Sequence, residues 1–148
     1  MDQLEDKVAD VTAGSQGIGA ATVSRLARAG AMVVIVDIVA DQGESLASQL
    51  RAQRLKARYR QLDVRLEASW ADLVDDVRRS EGRLDVLVNN AAVTHRAGSV
   101  NTSVHDWERV IGVNLTGSYL GIRSCAPLMR ESGASSIINF ASVAGLAG

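Results

Sequence analysis

Short β-rich apolar runs alternate along the chain with stretches in which apolar residues recur every three or four positions. Strands are predicted at Val8–Thr12, Met32–Asp37, Ala57–Leu62, Asp85–Asn89 and Ser136–Phe140. Met32–Val36 and Val86–Val88 are continuously apolar rather than alternating, as strands covered on both faces should be. Between them lie helical stripes. Val23, Leu26, Ala27 and Gly30 follow i, i+3, i+4, i+7, with Gly30 as the stop. Asp41 and Glu44 have the spacing of a capping box ahead of Leu46 and Leu50. Leu66, Trp70, Leu73, Val74 and Val77 form the third stripe, closed by Gly82. A longer helical stretch runs from about Val104 to Glu131, loosened by Gly112, Gly117, Gly121 and Pro127.

This βαβ alternation specifies an α/β fold, a parallel sheet with helices on both faces. Right-handed crossovers then give a doubly wound, Rossmann-like sheet. A full sheet of this kind has the order 3-2-1-4-5-6. Here the order 3-2-1-4-5 is expected, with the sheet truncated after its fifth strand because the sequence stops at Gly148. Residues 1–148 thus read as one incomplete domain.

Composition narrows the function. Sixteen basic and seventeen acidic residues leave a net charge of -1, which argues against a nucleic-acid surface. The longest clean apolar run, Ala31–Val36, is far too short for a membrane span. The mixed-charge start, MDQLEDK, does not resemble a secretory signal. One cysteine, Cys125, excludes an internal disulfide framework, and a cytoplasmic location is expected.

Thr12-Ala13-Gly14-Ser15-Gln16-Gly17-Ile18-Gly19 joins the first strand to the first helix. Glycines let a backbone approach a pyrophosphate, and a helix N-terminus offers it free N–H groups. The spacing is G-x-x-G-x-G, and a flexible turn is the competing reading. Asp37 ends the second strand 18 residues after Gly19, where an acid can receive the ribose hydroxyls of a dinucleotide. Capping of the next helix is its alternative role. Gln16 and Ile38, the neighbouring positions, carry no positive charge to greet a 2′-phosphate. NAD is therefore expected in preference to NADP.

Five segments in this order resemble the short-chain dehydrogenase/reductase family: TAGSQGIG (Thr12–Gly19), LDV (Leu62–Val64), NNAA (Asn89–Ala92), DWERVIGVNLTG (Asp106–Gly117) and INFASVAG (Ile138–Gly145). The resemblance runs from Lys7 to Gly148. It implies a pyrophosphate held by Gly14, Ser15, Gln16, Gly17, Ile18 and Gly19, with Ile18 towards the nicotinamide. Asp37, flanked by Ile38, would take the ribose. Asp63 and Val64 would border the adenine, with the Asp63 carboxylate accepting from its amino group. Asn90 and the backbone of Ala91 would line the middle of the cofactor, while Asn89 would tie two strands. Asn114 would hold a water in a proton relay. Ser142 would bond the substrate oxygen; on spacing alone it reads equally as a polar turn residue. The implied activity is hydride transfer between nicotinamide and a secondary alcohol or ketone, by a homo-oligomer in the full-length form.

The sequence also departs from the family. Its Tyr-x-x-x-Lys, the proton-transfer pair, follows the serine by about a dozen residues, whereas six residues follow Ser142 here. Tyr59 and Tyr119 precede Asp63 and Arg123 at that spacing, and Lys7 and Lys56 are the only lysines. The chain therefore reads as an N-terminal part, expected to be inactive alone. A non-catalytic NAD-binding or interaction module is the alternative. An epimerase or dehydratase fits the N-N-A-A and A-S-V-A-G segments less well. Ala13 and Ala92 replace family glycines, with Gly14 available to compensate for the first. Asp10 stands mid-strand where an aliphatic residue belongs, and an unpaired buried carboxylate is costly. His95 and His105 lack metal-ligand spacing, with His95 a candidate for the substrate border. Arg51–Arg60 reads as a solvated helix end and edge strand. Trp70, Trp107 and Cys125 read as core residues.

Overall fold

The computed structural model describes residues 3–146. Five strands, β1 (Val8–Thr12), β2 (Met32–Asp37), β3 (Ala57–Gln61), β4 (Val86–Asn89) and β5 (Ser136–Asn139), form one sheet. Its order is β3-β2-β1-β4-β5, and every pairing is parallel. The helices are α1 (Gly17–Arg28), α2 (Ala40–Ala52), α3 (Glu67–Ser80), α4 (Val104–Ile111) and α5 (Gly117–Glu131). A π-helical turn, Gly112–Thr116, joins α4 to α5, so the predicted long helix is continuous but carries a local change of winding. Pro127 sits inside α5 without ending it.

The continuous apolar character of β2 has a direct cause. Val33 and Ile35 face one core, with Val23 and Ala27 of α1 and Ala47 and Leu50 of α2. Val34 and Val36 face the other, with Trp70 and Leu73 of α3 and Cys125 and Leu128 of α5. Two layers thus need two apolar faces on one strand. Burial pushes the Cys125 thiol pKa up, in keeping with its role as a packing residue.

Three sequence expectations fail. The Asp41/Glu44 capping box does not form, because α2 begins at Ala40 and its N-cap is Val39, leaving Asp41 within the first turn. Trp107 is 62 % exposed on α4, beside exposed Val104, because its stripe turns away from the sheet. Helical spacing identifies a stripe but not what covers it. Nor does Gly14 stand in for the glycine missing at Ala13: Ala13 itself takes the left-handed conformation, with φ of 48°. At Gly14 the constraint is space, since a Cβ would lie 2.7 Å from the Val11 carbonyl oxygen. Ala92 is absent from the left-handed residues, so its substitution carries no such strain.

Asp10 is the main conflict within the fold. It lies mid-β1 between Val34 and Leu87, fully buried, and both carboxylate oxygens lack a hydrogen-bond partner. Burial raises its pKa to about 8; Arg58 pulls it down, while Glu81 and Asp76 push it up. Arg58 is already committed, at 2.7 Å to Asp76 and 2.8 Å to Glu81.

At the far edge, Ile137, Ile138 and Phe140 are all exposed, so β5 presents apolar side chains beside an unpaired backbone edge. Such an edge invites pairing.

Two outcomes are expected. Asp10 binds its proton in the fold over a range where the unfolded chain has lost it. Stability should therefore fall as pH rises from about 4 to about 8, by up to about 1.4 kcal/mol per pH unit. Asp10→Val and Asp10→Asn should both abolish that slope in chemical denaturation, and Asp10→Val should raise the midpoint at pH 8. A slope unchanged in both variants would refute the assignment. Ile138→Lys should reduce self-association in light scattering; an undiminished particle size would show that the β5 edge is not the sticky surface.

Candidate functional site

All five strands run in one direction, so their C-terminal ends collect on one side of the sheet. The crevice there opens between β1 and β4, where the order reverses, as expected for ligand sites in such sheets. Thr12 stitches its base. Its hydroxyl accepts from the Asn90 and Ala91 main-chain N–H groups, each at 2.9 Å, and donates to the Val88 carbonyl at 3.3 Å.

The loop from Ala13 to Gly19 then enters α1. Gln16 is the N-cap and offers no side-chain cap bond, and the first turn holds no acid. The helix end is therefore left with N–H groups for an anion. Gly19 packs so closely that a Cβ would sit 2.0 Å from the Ala13 carbonyl oxygen. Asn90 reinforces this contact by donating its amide to the Thr12 carbonyl at 3.0 Å and the Ala13 carbonyl at 3.3 Å. Its side chain is thus used to hold the loop, while the backbone of Ala91 is tied to Thr12. Asn89 bonds Asn139 at 2.9 Å and so ties β4 to β5, as the sequence suggested.

Asp37 is buried at the end of β2. One carboxylate oxygen accepts from the Ser15 main-chain N–H at 3.1 Å and the Ser15 hydroxyl at 2.5 Å. The other accepts from the Val39 N–H at 3.1 Å. The Asp37 carbonyl accepts from the Tyr59 hydroxyl at 2.8 Å and the Leu62 N–H at 3.0 Å. The acid is therefore fixed to the loop by neutral donors.

A groove of about 370 Å³ lies alongside. Ala13 and Gln16, then Asp37 and Ile38, then Asp63, Val64 and Arg65 form its successive walls, with Ala92, Val93 and Arg109 opposite. Of the expected cofactor residues, Gln16, Asp37, Ile38, Asp63 and Val64 meet here. Ile18 is exposed on the first turn of α1. Thr12, Arg65, Val93 and Arg109 escaped the sequence reading. A threonine closing an apolar strand is the one signal that pointed to Thr12.

Asn114 lies in the π turn, a kind of irregularity frequent at functional sites. It accepts from the Val93 N–H at 2.8 Å and donates to the Val93 carbonyl at 2.9 Å, clamping the segment after β4. Ser142 is exposed beyond β5 and accepts from the Ala144 N–H at 3.2 Å, capping a short 3-10 turn. His95 faces Asp106 across 3.8 Å. The described residues contain no His/Cys/Asp/Glu cluster suited to a metal ion and no helix long and apolar enough to cross a membrane.

Comparison with known proteins agrees with this geometry. The family model for short chain dehydrogenase matches residues 7–148. The 3-alpha-(or 20-beta)-hydroxysteroid dehydrogenase of Mycobacterium tuberculosis is 41 % identical over 99 % of this chain and 55 % of its own length. The trans-4-hydroxycyclohexanecarboxylate dehydrogenase of Sinomonas cyclohexanicum is 39 % identical, with 99 % and 59 % covered. A crystal structure from Burkholderia xenovorans, of a protein ascribed to the short-chain dehydrogenases/reductases, superposes with a TM-score of 0.94 at 31 % identity. That superposition covers 99 % of this chain and 60 % of the other. The chain thus spans a little over half the length of the curated relatives it matches. With a family model matching almost end to end, five motifs in order and the sheet order they imply, the chain belongs to the short-chain dehydrogenase family.

Proposed function

We propose that the chain is the nucleotide-binding part of an NAD-dependent oxidoreductase that moves hydride between nicotinamide and a secondary alcohol or ketone. The observation that carries this reading is the union of loop and acid: Ser15 bonds Asp37 through both its N–H and its hydroxyl. One rigid unit thereby offers a phosphate-binding helix end and a ribose-binding carboxylate.

The residues present fit that cofactor. The uncapped start of α1 and the loop Gly14, Ser15, Gln16, Gly17, Ile18 and Gly19 suit a pyrophosphate. Gly19, with no Cβ, lets the first turn of α1 close against the Ala13 carbonyl and so sets the loop. Asp37 has acceptor capacity left for ribose hydroxyls, because a carboxylate has about four lone-pair sites and three are taken. Asp63, Val64, Asn90 and Ala91 border the remaining length. When bound, the nicotinamide supplies the hydride chemistry. Ser142 would donate to or accept from the substrate oxygen, and the free amide hydrogen of Asn114 would hold a water for proton movement. The Ser142 hydroxyl currently accepts from Ala144, so its own hydrogen is available to a substrate oxygen.

Asp37 also supports NAD over NADP. Its charge would meet a 2′-phosphate directly, and Gln16 and Ile38 beside it in the groove carry no compensating cation. The names of the relatives support small cyclic and steroid alcohols as the substrate class. A cytoplasmic setting and a homo-oligomeric full-length enzyme complete the proposal.

Titration should give tighter binding of NAD than NADP. Asp37→Ala combined with Ile38→Arg should shift the ratio towards NADP by about tenfold or more, near 1.4 kcal/mol. Tighter NADP binding by the unaltered chain would overturn the preference. With secondary alcohols, the 148-residue chain should form little NADH, and a form extended by a Tyr-x-x-x-Lys segment should turn over at about one per second or faster. Ordinary turnover by the chain alone would defeat the view that proton transfer needs that pair.

A further inference from the structure

Asp63 and Arg65 stand together in the groove, and the family resemblance makes Asp63 alone the acceptor of an adenine amino group. The geometry leaves Asp63 little capacity for that task. One oxygen accepts from the Arg65 main-chain N–H at 3.0 Å and from its Nε–H at 3.0 Å. The other accepts from Nε–H at 3.2 Å and Nη2–H at 2.6 Å. These contacts occupy the roughly four acceptor positions of a carboxylate. The same pairing holds the Asp63 carboxyl below its usual range, chiefly through the Arg65 side-chain hydrogen bonds.

Arg65, by contrast, has donors to spare. A guanidinium carries five N–H groups in a plane. Only Nε and Nη2 have protein acceptors among the described residues, so both Nη1 hydrogens are uncommitted. Its alkyl stem lies beside Gly112, at 3.4 Å from where a Cβ would stand, and anchors the side chain at the groove wall. Guanidinium planes also stack readily on aromatic rings.

We propose that Arg65 is the residue that reads the base. Its guanidinium, held by Asp63, gives the purine a planar face and hydrogen-bond donors, so the site takes a 6-oxo purine about as readily as a 6-amino one. The assignment rests on the dinucleotide-binding reading above and adds a base specificity to it. A carboxylate acceptor would favour the amino group and reject the carbonyl; a guanidinium stacked on the ring and donating to N7, the acceptor both purines carry, has no such preference. Removal of Arg65 would free Asp63 and restore selectivity for the amino form.

The test compares NAD with nicotinamide hypoxanthine dinucleotide by calorimetric titration. The unaltered chain should bind both within about threefold, and Arg65→Met should favour NAD by about tenfold or more. Asp63→Asn, which removes the carboxylate but keeps one oxygen acceptor for Arg65, should keep the two within about threefold. Preference for NAD by tenfold or more in the unaltered chain, or an unchanged ratio in Arg65→Met, would overturn the assignment while leaving the NAD reading intact. The unaltered chain's ratio decides the matter even if a variant fails to fold. Binding of neither dinucleotide would remove the cofactor reading, and the role of Arg65 with it.

Discussion

The site depends on a single hydroxyl. Thr12 ends β1 at the place where the strand order reverses, and its side chain bridges to β4 by accepting two N–H groups and donating to a carbonyl. Without that bridge the half-buried backbone N–H groups of Asn90 and Ala91 would lose their protein acceptor. Because the bridge holds, Asn90 can reach the Thr12 and Ala13 carbonyls and set the height of the loop. The loop in turn places Ser15 on Asp37. Each contact positions the next, from the end of β1 to the loop before α1 to Asp37.

Much of this architecture was legible because parallel sheets leave a strong imprint. A strand such as Met32–Asp37 is apolar without alternation only when both faces are covered, and the two cores confirm that reading. The strand ends also followed from the motifs, since chemistry in these sheets gathers where strands stop. What could not be read was the direction of individual side chains. Trp107 has the spacing of a core residue, yet its helix face meets no sheet. Asp41 and Glu44 have the spacing of a cap, yet the helix starts two residues too early. Ala13 holds a left-handed backbone because Gly19 and Asn90 fix the loop around it, a tertiary demand that overrides residue preference. Arg65 sits two residues from Asp63, a separation with no periodic signature.

Two buried carboxylates show how differently one sheet can treat a charge. Asp85 immediately precedes β4 and is as inaccessible as a core residue. Burial pushes its pKa up, but Arg83, the Val8 N–H and Lys7 together pull it below the usual range. Lys7 and Arg83 contact it at 3.2 and 2.6 Å. Asp10, three residues further along β1 than Lys7, reaches no such partner. A charge at a strand's start can meet flexible side chains from the loop before it. Mid-strand, between Val34 and Leu87, Asp10 finds no hydrogen-bond partner, and Arg58, which acts on it, is bound to Asp76 and Glu81.

The same distinction operates at the other end of the sheet, where the groove is built from two acids. Asp37 is satisfied by Ser15 and Val39, which are neutral, so its hydrogen bonds orient it without cancelling its charge. Asp63 is satisfied by Arg65, which is cationic, so its wall of the groove is locally neutral. In the proposed reading, a ligand meeting Asp37 would be sorted by charge, with hydroxyls accepted and a phosphate repelled. A ligand meeting the Asp63–Arg65 pair would be sorted by shape and hydrogen-bond pattern rather than by net charge. The proposed selectivity at the ribose and tolerance at the base would thus come from one difference, namely whether the partner that holds each carboxylate carries a charge of its own.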